Sequence, residues 1–121
     1  MTRPERRNAP RISAKLPVSL LQCKDVFTAQ TRNLSASGVY CTLRRFVEPM
    51  TKLSMWLELP HRPKPLRLRC QGVVVRVEPP RATPRRSTYQ IAIFFNDLAE
   101  RDRSLIAQYV QQLQGATLRR W

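Results

Sequence analysis

The sequence predicts a small, mostly-β barrel followed by one C-terminal helix. Three observations lead there. Apolar residues alternate with polar ones in several short runs, the pattern of strands with one buried face. Within the longest run the apolar parity switches, which requires an extra residue and a bend, as barrels use to close. After Asn96 the period changes from two to between three and four, so one amphipathic helix ends the pattern.

At 121 residues the chain is one domain with room for a real core. A hydrophobic fraction of 42% fits a folded protein rather than a disordered one. The formal charge is +14, and 18 of the 22 basic residues are arginine, so the chain is suited to anions. Met1 to Arg11 is polar and basic, unlike a secretory signal. No apolar run approaches the roughly 18 residues of a membrane span, and a cytosolic location is expected. Cys23, Cys41 and Cys70 are widely spaced in apolar runs, which suggests buried reduced thiols rather than a disulfide framework or a zinc site. His61, the one histidine, lies in the turn Pro60-His61-Arg62-Pro63 without a local partner for metal or proton transfer.

In chain order, residues 1–13 read as a mobile arm. Arg6, Arg7 and Arg11 fall within six residues, and Pro10 disfavours helix there. Residues 14–95 read as the barrel. Leu16, Val18 and Leu20 alternate around Pro17, which implies an edge strand or an irregular start. Val26 to Arg32 follows, with Phe27, Ala29 and Thr31 on one side. Asn33-Leu34-Ser35-Ala36-Ser37-Gly38 reads as a turn, and Val39 to Leu43 as a strand. Leu53, Met55, Leu57 and Leu59 define the next strand. In the longest run Leu66, Leu68 and Cys70 share one parity and Val73, Val75 and Val77 the other, which places a bulge at Gln71-Gly72. Pro79 to Ser87 is a loop, and Tyr89, Ile91, Ile93 and Phe95 form the last strand. Residues 96–114 carry the helical stripe Leu98, Leu105, Ile106, Tyr109, Val110 and Leu113. Asn96 or Asp97 is the expected cap, Gly115 the expected stop, and residues 115–121 a tail.

Arginines separated by three residues occur at Arg3/Arg7, Arg7/Arg11 and Arg81/Arg85, so that spacing is uninformative alone. Asn33-x-Ser35-x-x-Gly38 is rarer, and it follows the arginine arm closely. Together, Arg7-x-x-x-Arg11 and Asn33-x-Ser35-x-x-Gly38 resemble the RxxxR and (D/N)xSxxG motifs of the PilZ domain family. The valine run after Gly72, the Phe95-Asn96-Asp97-Leu98 junction and the closing helix also resemble it, over nearly the whole chain.

The resemblance implies a six-stranded antiparallel β-barrel that binds the bacterial second messenger cyclic di-GMP. Arg7 and Arg11 suit bidentate capture of phosphate or of guanine O6 and N7. Asn33 offers an amide oxygen to a guanine N–H, and Ser35 a hydroxyl to a phosphate or base edge. Gly38 lets backbone approach the ligand or turn with positive φ. In similar domains an arginine at the place of Arg6 accompanies an intercalated pair of ligands, so two molecules per chain are expected. The arm would then fold over the barrel on binding and pass the signal to an unidentified downstream protein. The family is associated with motility and exopolysaccharide control.

Two other readings stay open. A nucleic-acid-binding barrel would use Arg44, Arg45, Arg67, Arg69, Arg85 and Arg86, with Trp56 and Phe94 as its outward aromatics. A PilZ-type interaction module would bind no ligand. An enzyme is disfavoured, because paired carboxylates, a nucleophile–base pair and a metal-ligand cluster are all lacking, and no cofactor is implied.

Overall fold

The computed structural model describes residues 11–85 and 87–119, with side chains through Gln114. Arg6, Arg7 and Arg86 therefore lie outside the described residues. Seven strands precede one helix: β1 (Arg11–Ser13), β2 (Pro17–Gln22), β3 (Asp25–Ser35), β4 (Gly38–Leu43), β5 (Lys52–Leu59), β6 (Leu66–Glu78), β7 (Tyr89–Asp97) and α1 (Glu100–Arg119). They form one antiparallel sheet in the order β1-β3-β2-β5-β6-β7-β4, and a further β3–β4 pairing closes it. Strands β2 to β7 make the expected six-stranded barrel, and closure removes the exposed strand edges of an open sheet. The short β1 is an addition, and it turns Arg11–Ser13, expected within the arm, into a strand.

Alternation fills the interior. Val18 and Leu20, the run Leu53, Met55, Leu57 and Leu59, and Tyr89, Ile91, Ile93 and Phe95 are all buried. Each such side chain stabilises the fold by about 1.5–3 kcal/mol when fully withdrawn from water. Gly72 is buried among them, where a Cβ would stand 2.4 Å from Ile93 Cγ2. From α1, Ile106 and Val110 close over the core, and the helix packs on β1 and β3.

Strands β1 and β2 lie end to end along the same side of β3. The break between them is held by Thr31, a buried polar residue. Its hydroxyl accepts from Leu16 N at 3.0 Å and donates to the carbonyl of Ala14, while Thr31 N donates to Leu16 O at 3.0 Å. Pro17 thus begins a strand after a kink. It does not mark an edge, because β2 pairs with both β3 and β5.

Several local expectations are corrected. Asn33 to Ser35 continue β3, and only Ala36 and Ser37 lie between β3 and β4. Thr31 pairs with Cys41 and Asn33 with Tyr40, so Arg32 is an extra residue that lets the ladder resume after a change of face. In β6 the register does shift at Gln71/Gly72, but there the unpaired residue is Asn96 on β7. The parity of β6 itself changes later, where Val74 pairs with Ile93, Arg76 with Ala92, and Val75 has no partner. Leu68, Cys70, Gly72 and Val74 accordingly point inward, and Val75 is 54% exposed.

Asn96 and Asp97 end β7 rather than cap the helix. Helix α1 starts at Glu100, with Arg103 N bonded to Ala99 O at 2.9 Å, and runs past Gly115. Cys41 and Cys70 are buried, but Cys23 is exposed in the β2–β3 turn at φ 57°, where a buried thiol was expected. Burial pushes the Cys41 thiol up to about 12. Cys70 rises to about 11 through burial, with Asp102 and Asp97 adding to the shift. The Pro79 to Ser87 loop is anchored by Tyr89, whose hydroxyl accepts from Thr83 N at 3.0 Å and donates to Thr83 O at 3.2 Å.

Candidate functional site

The two bulges determine what the outer face presents. Without the extra residue at Arg32, Asn33 and Ser35 would share the inward parity of Thr31. With it, Leu34 turns inward opposite Val39, and Asn33 and Ser35 turn to the other face, Asn33 half-buried and Ser35 still buried. The insertion at Val75 does the same for Arg76, which comes to lie opposite Ala92 while Val77 points inward opposite Ile91. One row of outward residues then crosses five strands: Ser13, Asn33, Tyr40, Ala92 and Arg76.

Along this row lies a groove of about 880 Å³. Arg11, Asn33 and Ser35 line one bank, Gly38, Tyr40, Ala92 and Phe94 the floor, and Val75 and Arg76 the other bank. Its size is within the roughly 300–1,000 Å³ of small-molecule sites. A neighbouring hollow of about 630 Å³ shares Asn33 and Tyr40 and adds Lys15, Arg32 and Gln90. Arg11, Arg76, Lys15 and Arg32 make the surroundings cationic, with Arg32 Nη1 donating to Gln90 Oε1 at 3.3 Å.

Four of the six expected site residues therefore meet at one groove. Arg11 stands directly opposite Ser35, is exposed, and its guanidinium has no acceptor among the described residues. Asn33 is half-buried and, among the described residues, its Oδ1 accepts only a long bond from Ser13 Oγ at 3.4 Å. Ser35 is more committed, since its hydroxyl accepts from Ser37 N at 3.1 Å and lies 3.0 Å from Ser37 Oγ.

Of the two roles expected of Gly38, positive φ is not adopted; a Cβ there would stand 2.3 Å from the carbonyl oxygen of Ile93 on β7, so its lack of one serves strand packing. The turn before it is fixed from two further directions. Phe95 N donates to Ser37 O at 2.9 Å, and Arg103 of α1 donates through Nη1 to Ala36 O at 2.7 Å.

Tyr40, Val75 and Arg76 were not anticipated in the groove. Tyr40 was readable, lying two residues after Gly38 and so on the same face. Arg76 was not, because its position depends on the Val75 bulge and on pairing with β7. The outward aromatics do not form a joint platform: Phe94 lies on β7 at the groove, whereas Trp56 lies on β5, half-buried beneath the guanidinium groups of Arg67 and Arg69 at 5.7 and 6.0 Å from its ring. Among the described residues no cluster of three or more His, Cys, Asp or Glu side chains could hold a metal ion. No described helix is long and apolar enough to cross a membrane.

Comparison with solved structures finds the same fold in Bacillus subtilis Inhibitor of motility (MotI/DgrA), at a TM-score of 0.77 and 21% identity, covering 93% of this chain and 53% of that one. K. pneumonia MrkH matches at a TM-score of 0.72 and 16% identity over 99% of this chain and 53% of that one. The K. pneumonia MrkH–c-di-GMP complex matches at 0.70 and 16%, over 98% and 56% respectively. The chain thus spans about half the length of these structures. No curated protein matches it. The PilZ domain model matches residues 5–112, a span that includes both motifs, and the chain belongs to the PilZ domain family.

Proposed function

We propose that this chain is a receptor for cyclic di-GMP, a binding module rather than a catalyst, that takes the messenger into the groove between β1/β3 and β6. The observation that carries the reading is the convergence of Arg11, Asn33, Ser35 and Gly38, separated by up to 27 positions in sequence, on one cationic groove. The MrkH complex with c-di-GMP, on the same fold, supports it. Arg11 forks onto phosphate or a guanine edge, and Asn33 accepts from a guanine N–H. Ser35, whose proton has Gly38 O at 3.5 Å and Ser37 Oγ at 3.0 Å as acceptors, offers its remaining lone pair at the groove wall.

Arg6 and Arg7 complete the clamp by folding the segment before β1 across the groove. Three arginines then face the four negative charges of a ligand pair, which gives two messengers per chain. The ordered segment and the Arg103-tethered turn together present an altered surface to a downstream protein.

Isothermal titration with cyclic di-GMP tests this directly. The wild-type chain binds two equivalents, and Arg7→Ala/Arg11→Ala abolishes binding. Amide exchange over residues 1–13 slows on saturation. Absence of heat with the wild-type chain would refute the reading. One equivalent would refute the ligand pair alone, and unchanged exchange would refute the closing arm.

A further inference from the structure

The far bank of the groove carries a guanidinium that neither sequence motif includes. Val75 bulges from β6 and is 54% exposed at the groove, and the bulge delivers Arg76 to the end of the row that begins at Ser13. Arg76 is weakly engaged. Its Nε lies 3.9 Å from Glu78 Oε2, and the two side chains are 65% and 57% exposed. Its terminal nitrogens have no acceptor among the described residues, so two parallel donors remain available.

We propose that Arg76 is a ligand-contacting residue that grips a cyclic dinucleotide from the side opposite Arg11. This rests on the reading of the groove as a cyclic di-GMP site. Arg11 on β1 and Arg76 on β6 are separated by four strand spacings, about 19 Å around the curved surface. Both side chains lean into the groove and shorten that gap. Cyclic di-GMP is two-fold symmetric, with a guanine and a phosphodiester in each half. A cation on each bank engages both halves at once, by phosphate contact or by the guanidinium–guanine O6/N7 fork. GMP has only one half, so the motif bank alone captures it. Arg76 therefore distinguishes the cyclic dinucleotide from the mononucleotide, and the extra binding energy comes from the second attachment point.

Titration at constant ionic strength with cyclic di-GMP and, separately, GMP tests this. The proteins compared are wild type, Arg76→Ala, Arg76→Lys, and Arg81→Ala as a charge-matched control with an exposed arginine outside the groove. Arg76→Ala is expected to weaken cyclic di-GMP binding about tenfold or more, to leave GMP affinity unchanged, and to match wild type in thermal melting. Arg76→Lys keeps the charge but cannot fork, and restores only part of the loss. Equal affinities for Arg76→Ala and Arg81→Ala would overturn the proposal while leaving the receptor reading intact, as would equal weakening of GMP and cyclic di-GMP. Failure of the wild-type chain to bind cyclic di-GMP would overturn both.

Discussion

Asn33 faces Tyr40 across the β3–β4 ladder, one residue beyond the unpaired Arg32. The outward direction of Asn33 is a product of that single insertion. Among the described residues its side chain makes one long hydrogen bond, so Asn33→Ala is expected to change stability by no more than about 0.5 kcal/mol. Cyclic di-GMP affinity is expected to fall roughly tenfold, the worth of one good hydrogen bond. Chemical denaturation and titration of the same preparation separate the two effects. A large loss of stability would show that Asn33 is structural.

Thr31, two residues earlier, points the other way and holds the break between β1 and β2. Thr31→Val keeps the shape but leaves Leu16 N and Ala14 O without their partner. A loss of about 1–3 kcal/mol in urea unfolding is expected. Thr31→Ser, which keeps the hydroxyl, should cost less. A larger loss for Thr31→Ser than for Thr31→Val would mean that the methyl group, not the hydroxyl, matters there.

Gly38→Ala should destabilise the barrel in the absence of any ligand. The new Cβ would meet the Ile93 carbonyl at 2.3 Å, and that oxygen is backbone in a regular ladder. A cost of about 1–3 kcal/mol is expected for such overpacking. Normal melting of the variant, with binding alone lost, would instead assign Gly38 to ligand approach.

Arg103→Ala removes the 2.7 Å bond from α1 to the Ala36 carbonyl. A loss of about 1–2 kcal/mol is expected. Faster amide exchange should be confined to the β3–β4 turn and the first turns of α1. Exchange that rises evenly across the barrel would contradict a local tether.

High pH should expose the buried thiols. The folded values of Cys41 and Cys70 lie near 12 and 11, above the ordinary value of 9.0 that they regain on unfolding. The unfolded chain therefore loses these protons first. Stability from the neutral thiols is complete below pH 9 and declines as pH rises from 9 through 11 and towards 12. Cys41→Ala/Cys70→Ala should flatten that decline relative to its own value at pH 8. In the native protein iodoacetamide should modify the exposed Cys23 well before either buried thiol.

The barrel was legible because alternation reports burial directly. Met55, Leu57 and Ile91 needed nothing beyond period two, and Ile106 and Val110 followed from the helical stripe. The bulges were legible only in part. Thr31 and Leu34 are both apolar-facing but of opposite parity, a signal within the sequence that something is inserted between them. For β6 the parity change was visible, yet its place at Val75 depended on Gly72 being an inward position. A residue without a side chain hides its own orientation. Cys23 misled because a small apolar residue beside a strand resembles core, although the two-residue turn there needed a left-handed backbone. Arg76 was beyond sequence reading, since its place at the groove is created by a partner strand that follows later in the chain.

Between the two bulged strands, β4 and β7 pair without interruption from Gly38↔Phe94 to Leu43↔Tyr89. The groove thus has a keel of unbroken ladder and two gunwales, each locally freed by one surplus residue. The surplus residues thus stand one on each rim, at Arg32 and Val75, and the ladder that carries Tyr40 and Ala92 between them is regular, so the rims rather than the floor hold the backbone that the sheet leaves unpaired.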